Sequence, residues 1–244
     1  MRDNWNHIVK VGQVALVPYQ RSFVPKYHDW LEDEWLRDMT ATERLSLEEE
    51  YEAQAAWIND KEKCTFIVFE KDSITSDSDT TASEQESGST NTNTNSNTSS
   101  DTSNNINVNL NGMVGDTNLF LMDDERGDEY DLQDIEFTSQ GKIMNDNNIH
   151  LYKRHTAEIM VMIGENKSRR KGYALDAVLG MMEYGRKYLN ITRFIAKISD
   201  ENEASIKMFR DKLQFIERKK LSFFKETHFV YEYPTKRILY MNIQ

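Results

Sequence analysis

In this 244-residue chain, the stretch whose residue types and spacing most directly offer chemistry is Arg169-Arg170-Lys171-Gly172-Tyr173-Ala174. It follows a strand-like run, AEIMVMI at 157–163, and leads into a helix read over 172–189. That helix places Ala174, Ala177, Val178, Met181, Met182, Gly185 and Leu189 on one face, the i, i+3, i+4, i+7 spacing of an amphipathic helix. A helix N-terminus carries unpaired N–H groups and partial positive charge, so it attracts phosphate. Gly172 permits close backbone approach or a positive φ. Arg169, Arg170 and Lys171 oppose the helix dipole unless an anion sits with them. The chemistry expected is therefore the binding of a phosphorylated ligand. A solvated basic loop ahead of an amphipathic helix accounts for the same residues. The glycines of a Walker loop and of a dinucleotide fingerprint are both missing.

The elements that must position this loop are legible on either side of it. VGQVALVPY, 11–19, reads as a strand ending at Pro18, and 23–38 carries Tyr27, Trp30, Leu31 and Trp35 at helical spacing. Ser46 and Glu49 form a capping box that starts a helix with Tyr51, Ala55 and Ile58 on one face. Residues 64–70 read as a strand, and MVGDTNLFLMD from Met113 as another. After the loop helix come a strand at 193–199, a helix at 203–213, and strands near 215–223 and 227–233. Strands alternating with helices predict one α/β (α+β layered) domain over 1–244. It is interrupted at 73–111 by a Ser/Thr/Asn-rich stretch whose composition predicts disorder, and at 124–155 by an acidic and polar insertion.

Charge and composition exclude several classes. Lys and Arg number 30 against 41 Asp and Glu, a formal charge of −11, which opposes sequence-independent binding to nucleic acid. It suits a cationic acceptor, as it also suits ordinary solubility. One cysteine, Cys64, rules out an internal disulfide framework and reads as a buried small hydrophobe within CTFIVFE. The five histidines, His7, His28, His150, His155 and His228, lack metal-ligand spacing, so no metal is expected. No apolar run approaches the ~20 residues of a membrane span, and the N-terminal residues lack the apolar core of a secretory signal. The expectation is a cytoplasmic protein that engages neither membrane nor nucleic acid.

Arg169 through Ala174 resembles the coenzyme A loop of the GNAT superfamily of N-acetyltransferases, in which Gln or Arg is followed two residues later by Gly-x-Gly/Ala. Downstream, NEASIKMFRDKLQF from Asn202 resembles the family's Asn-x-x-Ala/Ser helix and the Leu-Gly-Phe-like turn that ends it. VALVPY, the region from Tyr27 to Trp35, LSLEEEYEAQ, CTFIV, GDTNLFL and AEIMVMI extend the likeness to the N-acetyltransferase 9 group of that superfamily. The resemblance implies a mixed, mostly antiparallel sheet flanked by helices and splayed between its fourth strand, here 157–163, and its fifth, here 193–199. It implies that acetyl-CoA is the cosubstrate. The backbone around Met162 and Ile163 is then expected to meet the pantetheine arm and polarise the thioester carbonyl. The N–H groups of Lys171, Gly172, Tyr173 and Ala174 are expected on the pyrophosphate, with Arg169 and Arg170 beside them. Asn202 is expected on the pantetheine arm or as the cap of its own helix.

Within the superfamily the amine attacks the thioester directly, so no nucleophilic side chain is needed, but a base or water chain must take a proton. Glu158 is the first candidate; strand alternation puts it on one face with Met160 and Met162. A strand-edge carboxylate that orients substrate or pairs with a cation is the other reading of it, and the slightly favoured one. Asp116 and Asn118 share a strand face and are secondary candidates for lining the acceptor site. Many family members place a tyrosine seven residues after the capping Asn; here Phe209 stands there, an extra residue precedes the turn, and Gln214 replaces its glycine. Three functions stay open: acetylation of a protein N-terminus or lysine, acetylation of a small polyamine-like amine, and a non-catalytic role through contact with a partner such as a cytoskeletal protein.

Overall fold

The structure is a computed structural model that describes residues 4, 6–75, 107–122 and 155–233. It opens with a hairpin. The strand read over 11–19 is two strands, β1 (Val9–Val11) and β2 (Val14–Pro18), which pair antiparallel across a turn at Gly12-Gln13. The helical stretch read over 23–38 is likewise two helices, α1 (Val24–Leu31) and α2 (Glu34–Thr40). Asp33 separates them, its side chain capping α2 by accepting from the Trp35 N–H at 2.9 Å. Tyr27, Trp30 and Leu31 are buried on α1, whereas Trp35 is 50% exposed on α2 and belongs to a different face.

Helix α3 (Leu47–Asn59) begins at the expected capping box, with the Ser46 N–H donating to Glu49 Oε2 at 2.8 Å. Its inward face is not the expected apolar one. Glu50 and Gln54 are buried, and Ala55 is exposed. A polar helix face turned inward means that something polar lies beneath it.

Next come β3 (Lys63–Glu70), β4 (Ile74–Thr75), β5 (Asn107–Val108), β6 (Met113–Met122) and β7 (His155–Ile163). They are followed by α4 (Tyr173–Tyr188), β8 (Ile191–Ser199), α5 (Glu203–Lys207), β9 (Ile216–Leu221) and β10 (Glu226–Glu232). The main sheet has the order β1-β2-β3-β6-β7-β8-β10-β9. Its pairs are antiparallel apart from β7 with β8, which run parallel. Pairing between these two covers His155↔Ile191 to Glu158↔Ile195 and stops there, although β7 continues to Ile163 and β8 to Ser199. The sheet therefore opens into a V between them, the splay expected between the fourth and fifth strands. A parallel pair requires a crossover, and α4 supplies it.

Each sheet face carries a core. Ala177, Val178, Met181 and Tyr184 of α4 pack on Leu16, Phe66, Leu119 and Phe194. On the opposite face Tyr27, Trp30 and Leu36 pack over Val17, Ile67, Phe69 and Met162. Cys64 is fully buried, as expected.

The boundaries expected for the first insertion are too wide. Ile74↔Val108 and Thr75↔Asn107 form a small antiparallel ladder, and Ile74 is buried in the core under α1. β3 and β6 are direct neighbours in the main sheet, so 76–106 leaves and rejoins the domain at one hairpin end. Most of 73–111, and 123–154 of the second insertion, lie outside the described residues. Replacing 76–106 with a short Gly/Ser linker is expected to leave the thermal midpoint within a few degrees of wild type, whereas removing 73–111 also deletes the buried Ile74 and lowers it. Thermal denaturation of the two deletions checks this.

Candidate active site

The V between β7 and β8 opens onto a cavity of about 700 Å³. Its walls come from five places: Val161, Met162 and Ile163 at the end of β7; Ser168 to Leu175, apart from Lys171, in the loop and first turn of α4; Asn202, Ala204 and Ser205 at the start of α5; Met208, Asp211 and Lys212 in the turn that follows it; and Trp35, Leu36 and Met39 of α2. Apart from Glu158 and Lys171, every residue singled out in the sequence for cofactor binding or catalysis contributes to these walls.

The loop is shaped by two left-handed residues, Arg170 at φ 64° and Gly172 at φ 89°. Gly172 is the residue just before α4 and is not in its first turn; the helix runs 173–188, not 172–189. The helix's own bonding begins when the Asp176 N–H donates to the Gly172 carbonyl at 3.1 Å. The N–H groups of Tyr173, Ala174 and Leu175 thus belong to the first turn, which has no carbonyl of its own to meet. A Cβ placed on Gly172 would have only Gln13 Nε2, at 3.7 Å, within 4 Å, so the backbone here borders open space. Ser168 Oγ is buried without a partner at the same wall. Bare N–H groups, an orphaned hydroxyl and a positive helix end together fit the phosphates and polar arm of coenzyme A.

The three cations do not act alike. Arg169 turns back from the loop: its Nε donates to the Ile163 carbonyl at 3.0 Å, and its guanidinium lies 4.8 Å from the Trp35 ring centroid. It ties the end of β7 to α2. The hairpin turn at Gly12-Gln13 braces the loop from the other side, since the Gln13 N–H donates to Asp176 Oδ2 at 2.9 Å and its Nε2 to the Lys171 carbonyl at 3.3 Å. Neither Gln13 nor Asp176 stood out in the sequence, because their contact spans a separation visible only in three dimensions.

Asn202 is the cap of its helix. Its Oδ1 accepts from the Ser205 N–H at 3.1 Å, capping α5, and the residue also borders the cavity. The helix read over 203–213 is α5 followed by a wider turn at Met208–Lys212, in which the Leu213 N–H donates to the Met208 carbonyl five residues back. That turn absorbs the extra residue seen in the sequence. Gln214, at φ 61°, takes the left-handed conformation that a glycine would otherwise hold. Phe209 is buried and stacks edge-on with Phe215 at 5.0 Å, so this position is core.

On the sheet face under α1 and α3 lies a polar row. Glu158 pairs with Lys197 at 2.7 Å, both partly exposed. Asp116 is buried directly opposite Met162 in the β6–β7 register. It accepts from Asn118 Nδ2 at 2.6 Å and from Tyr27 OH at 3.5 Å, while Thr65 Oγ1 donates to Asn118 Oδ1 at 2.6 Å. Burial pushes the Asp116 carboxyl up to about 6 against the hydrogen bond from Asn118 and the charge of Lys63. Burial likewise lowers the Lys63 ammonium to about 8; its Nζ sits 3.0 Å from the Trp57 ring centroid.

With this geometry in place, comparison with known proteins decides the family. The family described as Acetyltransferase (GNAT) domain matches residues 13–211. The chain belongs to it. An N-acetyltransferase 9-like protein of Nematostella vectensis is 34% identical, over 91% of this chain and 84% of that protein. The alpha/beta-tubulin-N-acetyltransferase 9 of Homo sapiens is 35% identical, over 93% of this chain and 83% of its own length. Among solved structures, the ribosomal L7/L12 alpha-N-protein acetyltransferase RimL in complex with coenzyme A superposes with a TM-score of 0.57 at 12% identity, covering 93% of this chain and 98% of that one. At that identity the likeness speaks for the fold alone.

This GNAT protein is an N-acetyltransferase of the N-acetyltransferase 9 group, and acetyl-CoA is its cosubstrate. Among the described residues no helix is long and apolar enough to cross a membrane, and no group of His, Cys, Asp or Glu could hold a metal ion.

Proposed function

We propose that this enzyme acetylates an amine of a protein, by direct attack on acetyl-CoA held in the cavity between β7, the loop before α4 and the start of α5. The observation that carries the reading is the V between β7 and β8, which exposes the unpaired edge of 159–163 beside the loop N–H groups. In this reading the N–H groups of Lys171, Gly172, Tyr173 and Ala174 hold the pyrophosphate, with Arg170 and Lys171 adding charge. The backbone of Met162 and Ile163 holds the pantetheine arm and polarises the thioester carbonyl, which is worth most in a partly dry site. Asn202 meets the same arm, and Arg169 keeps β7 in place. Glu158, held by Lys197, orients the incoming cationic group.

The acceptor is read as a cytoskeletal protein, because relatives that align over most of the chain are named for acetylating alpha/beta-tubulin. Purified αβ-tubulin, spermidine and buffer alone are the arms of the test, with acetyl-CoA in each. Coenzyme A release and an acetylated tubulin peptide by mass spectrometry are expected with tubulin only. Release with spermidine and not with tubulin would replace the protein acceptor by a small amine.

A further inference from the structure

Three buried polar atoms on the acceptor side of the sheet have no hydrogen-bond partner: Tyr19 OH, Glu50 Oε1 and His28 Nδ1. They occupy one region. The Tyr19 and Tyr27 ring centroids are 5.3 Å apart, and the charges of Asp116 and Glu50 act on both tyrosines. His28 in turn acts on Glu50, and His28 Nε2 lies 3.7 Å from Glu32 Oε1 at the surface. Buried polar atoms left unpaired are costly unless water or a proton-handling role accounts for them. Tyr27, whose hydroxyl donates to Asp116 Oδ2 at 3.5 Å, ties this region to that carboxylate.

Asp116 is placed next to the cavity wall. Asp116 and Met162 are cross-strand partners on one sheet face, and Met162 is a wall of the cavity. From these placements we propose that Asp116 accepts the proton given up by the acceptor ammonium, and that Tyr27, whose hydroxyl donates to its carboxylate, tunes it. This rests on the acetyltransferase reading above.

The acceptor arrives as an ammonium and gives one proton to Asp116, leaving a neutral amine. A nitrogen–carbon bond forms at the acetyl carbonyl as the carbon–sulfur bond breaks. The second proton lost by nitrogen goes to the departing thiolate. The products are an amide, the free coenzyme A thiol and one proton in solvent. The groups that face Asp116 are Lys63 of β3, Tyr19, and Tyr27 of α1, with Glu50 of α3 beyond the tyrosines. Lys63 favours the ionised carboxyl and burial opposes it, which leaves a base of useful strength at neutral pH.

The test uses the full chain with αβ-tubulin and a pool of peptides bearing free N-terminal amines as acceptors. For wild type, kcat/KM should rise with pH through a limb near 6, because the carboxylate must be ionised to accept a proton. Asp116→Asn keeps the shape and is expected to lower kcat by about 100-fold, abolish that limb and leave acetyl-CoA affinity unchanged. Tyr27→Phe removes a hydrogen bond that favours the ionised form, so the limb should move to higher pH with a smaller loss of rate. A merely structural Asp116 would not move the limb. A folded Asp116→Asn variant with the wild-type profile, or a Tyr27→Phe variant whose limb stays in place, overturns the proposal. If wild type binds acetyl-CoA yet acetylates none of these acceptors, the function reading fails first, and the role of Asp116 fails with it.

Discussion

Gly172→Asp is expected to give a folded enzyme that no longer binds acetyl-CoA. Gly172 borders open space at the cavity wall, so a side chain there projects to where the phosphates are assigned. Two unit charges of like sign 4 Å apart repel by about 4 kcal/mol in a partly dry site. Solvent and the neighbouring Arg170 and Lys171 reduce that, but each 1.4 kcal/mol is tenfold in affinity, so a loss of at least about 100-fold is expected. There is also a backbone cost. At φ 89° an L-residue is strained by about 1–2 kcal/mol, and an aspartate in this conformation does not gain the usual benefit of capping a helix. Gly172→Asn carries nearly the same shape and strain without the charge, and so separates the two effects. Calorimetric titration with acetyl-CoA measures the affinity, and circular dichroism follows the fold. If folded Gly172→Asp binds as tightly as wild type, the phosphates do not lie on this loop.

Gly115→Ala is expected to damage both stability and turnover, for a reason that lies in the sheet. A Cβ on Gly115 would sit 2.0 Å from the Met162 carbonyl oxygen and 3.0 Å from Ile163 Cα. These are backbone atoms of the neighbouring strand, so no side chain can swing aside. Gly115 pairs with Ile163 on one side and Val68 on the other, next to a register shift between Val68 and Phe69. The methyl group must push the end of β7 away from β6. Overpacking of this kind costs about 3 kcal/mol, or a fall in Tm of roughly 6–12 °C for a domain of this size. The same displacement moves the backbone of Met162 and Ile163, where the acetyl carbonyl is to be polarised, so kcat should fall at least about tenfold even in the folded fraction. Differential scanning calorimetry and single-turnover kinetics read the two effects separately. An unchanged Tm would mean that β6 and β7 are not packed in this register.

The local signals in the sequence carried far because they depend on neighbours in the chain. The amphipathic spacing of α4, the Ser46–Glu49 box and the cap at Asn202 are all set within a turn or two, and each stands where it was read. The likeness of the loop and of the Asn202 helix to the GNAT pattern supplied the order of elements and the splay. Boundaries were less legible. A two-residue hairpin turn hid inside VGQVALVPY, and Asp33 divided one helical period into two helices, because a turn needs few residues and leaves the hydrophobic pattern almost intact.

Only the tertiary structure could decide which polar residues face inward. Glu50 and Gln54 look like the solvent side of α3, yet they are buried: Gln54 Nε2 donates to the Tyr19 carbonyl at 3.1 Å, and the charge of Glu50 acts on Tyr19 and Tyr27. Arg169 looks like a phosphate ligand in a basic run, yet it braces β7 because the Ile163 carbonyl and the Trp35 ring are within its reach. Asp116 became more than a lining residue when its strand register set it beside Met162. Sequence periodicity reports which face of an element is apolar; what a polar group meets after folding depends on contacts between residues far apart in the chain, and those exist only once the sheet and helices have closed on one another.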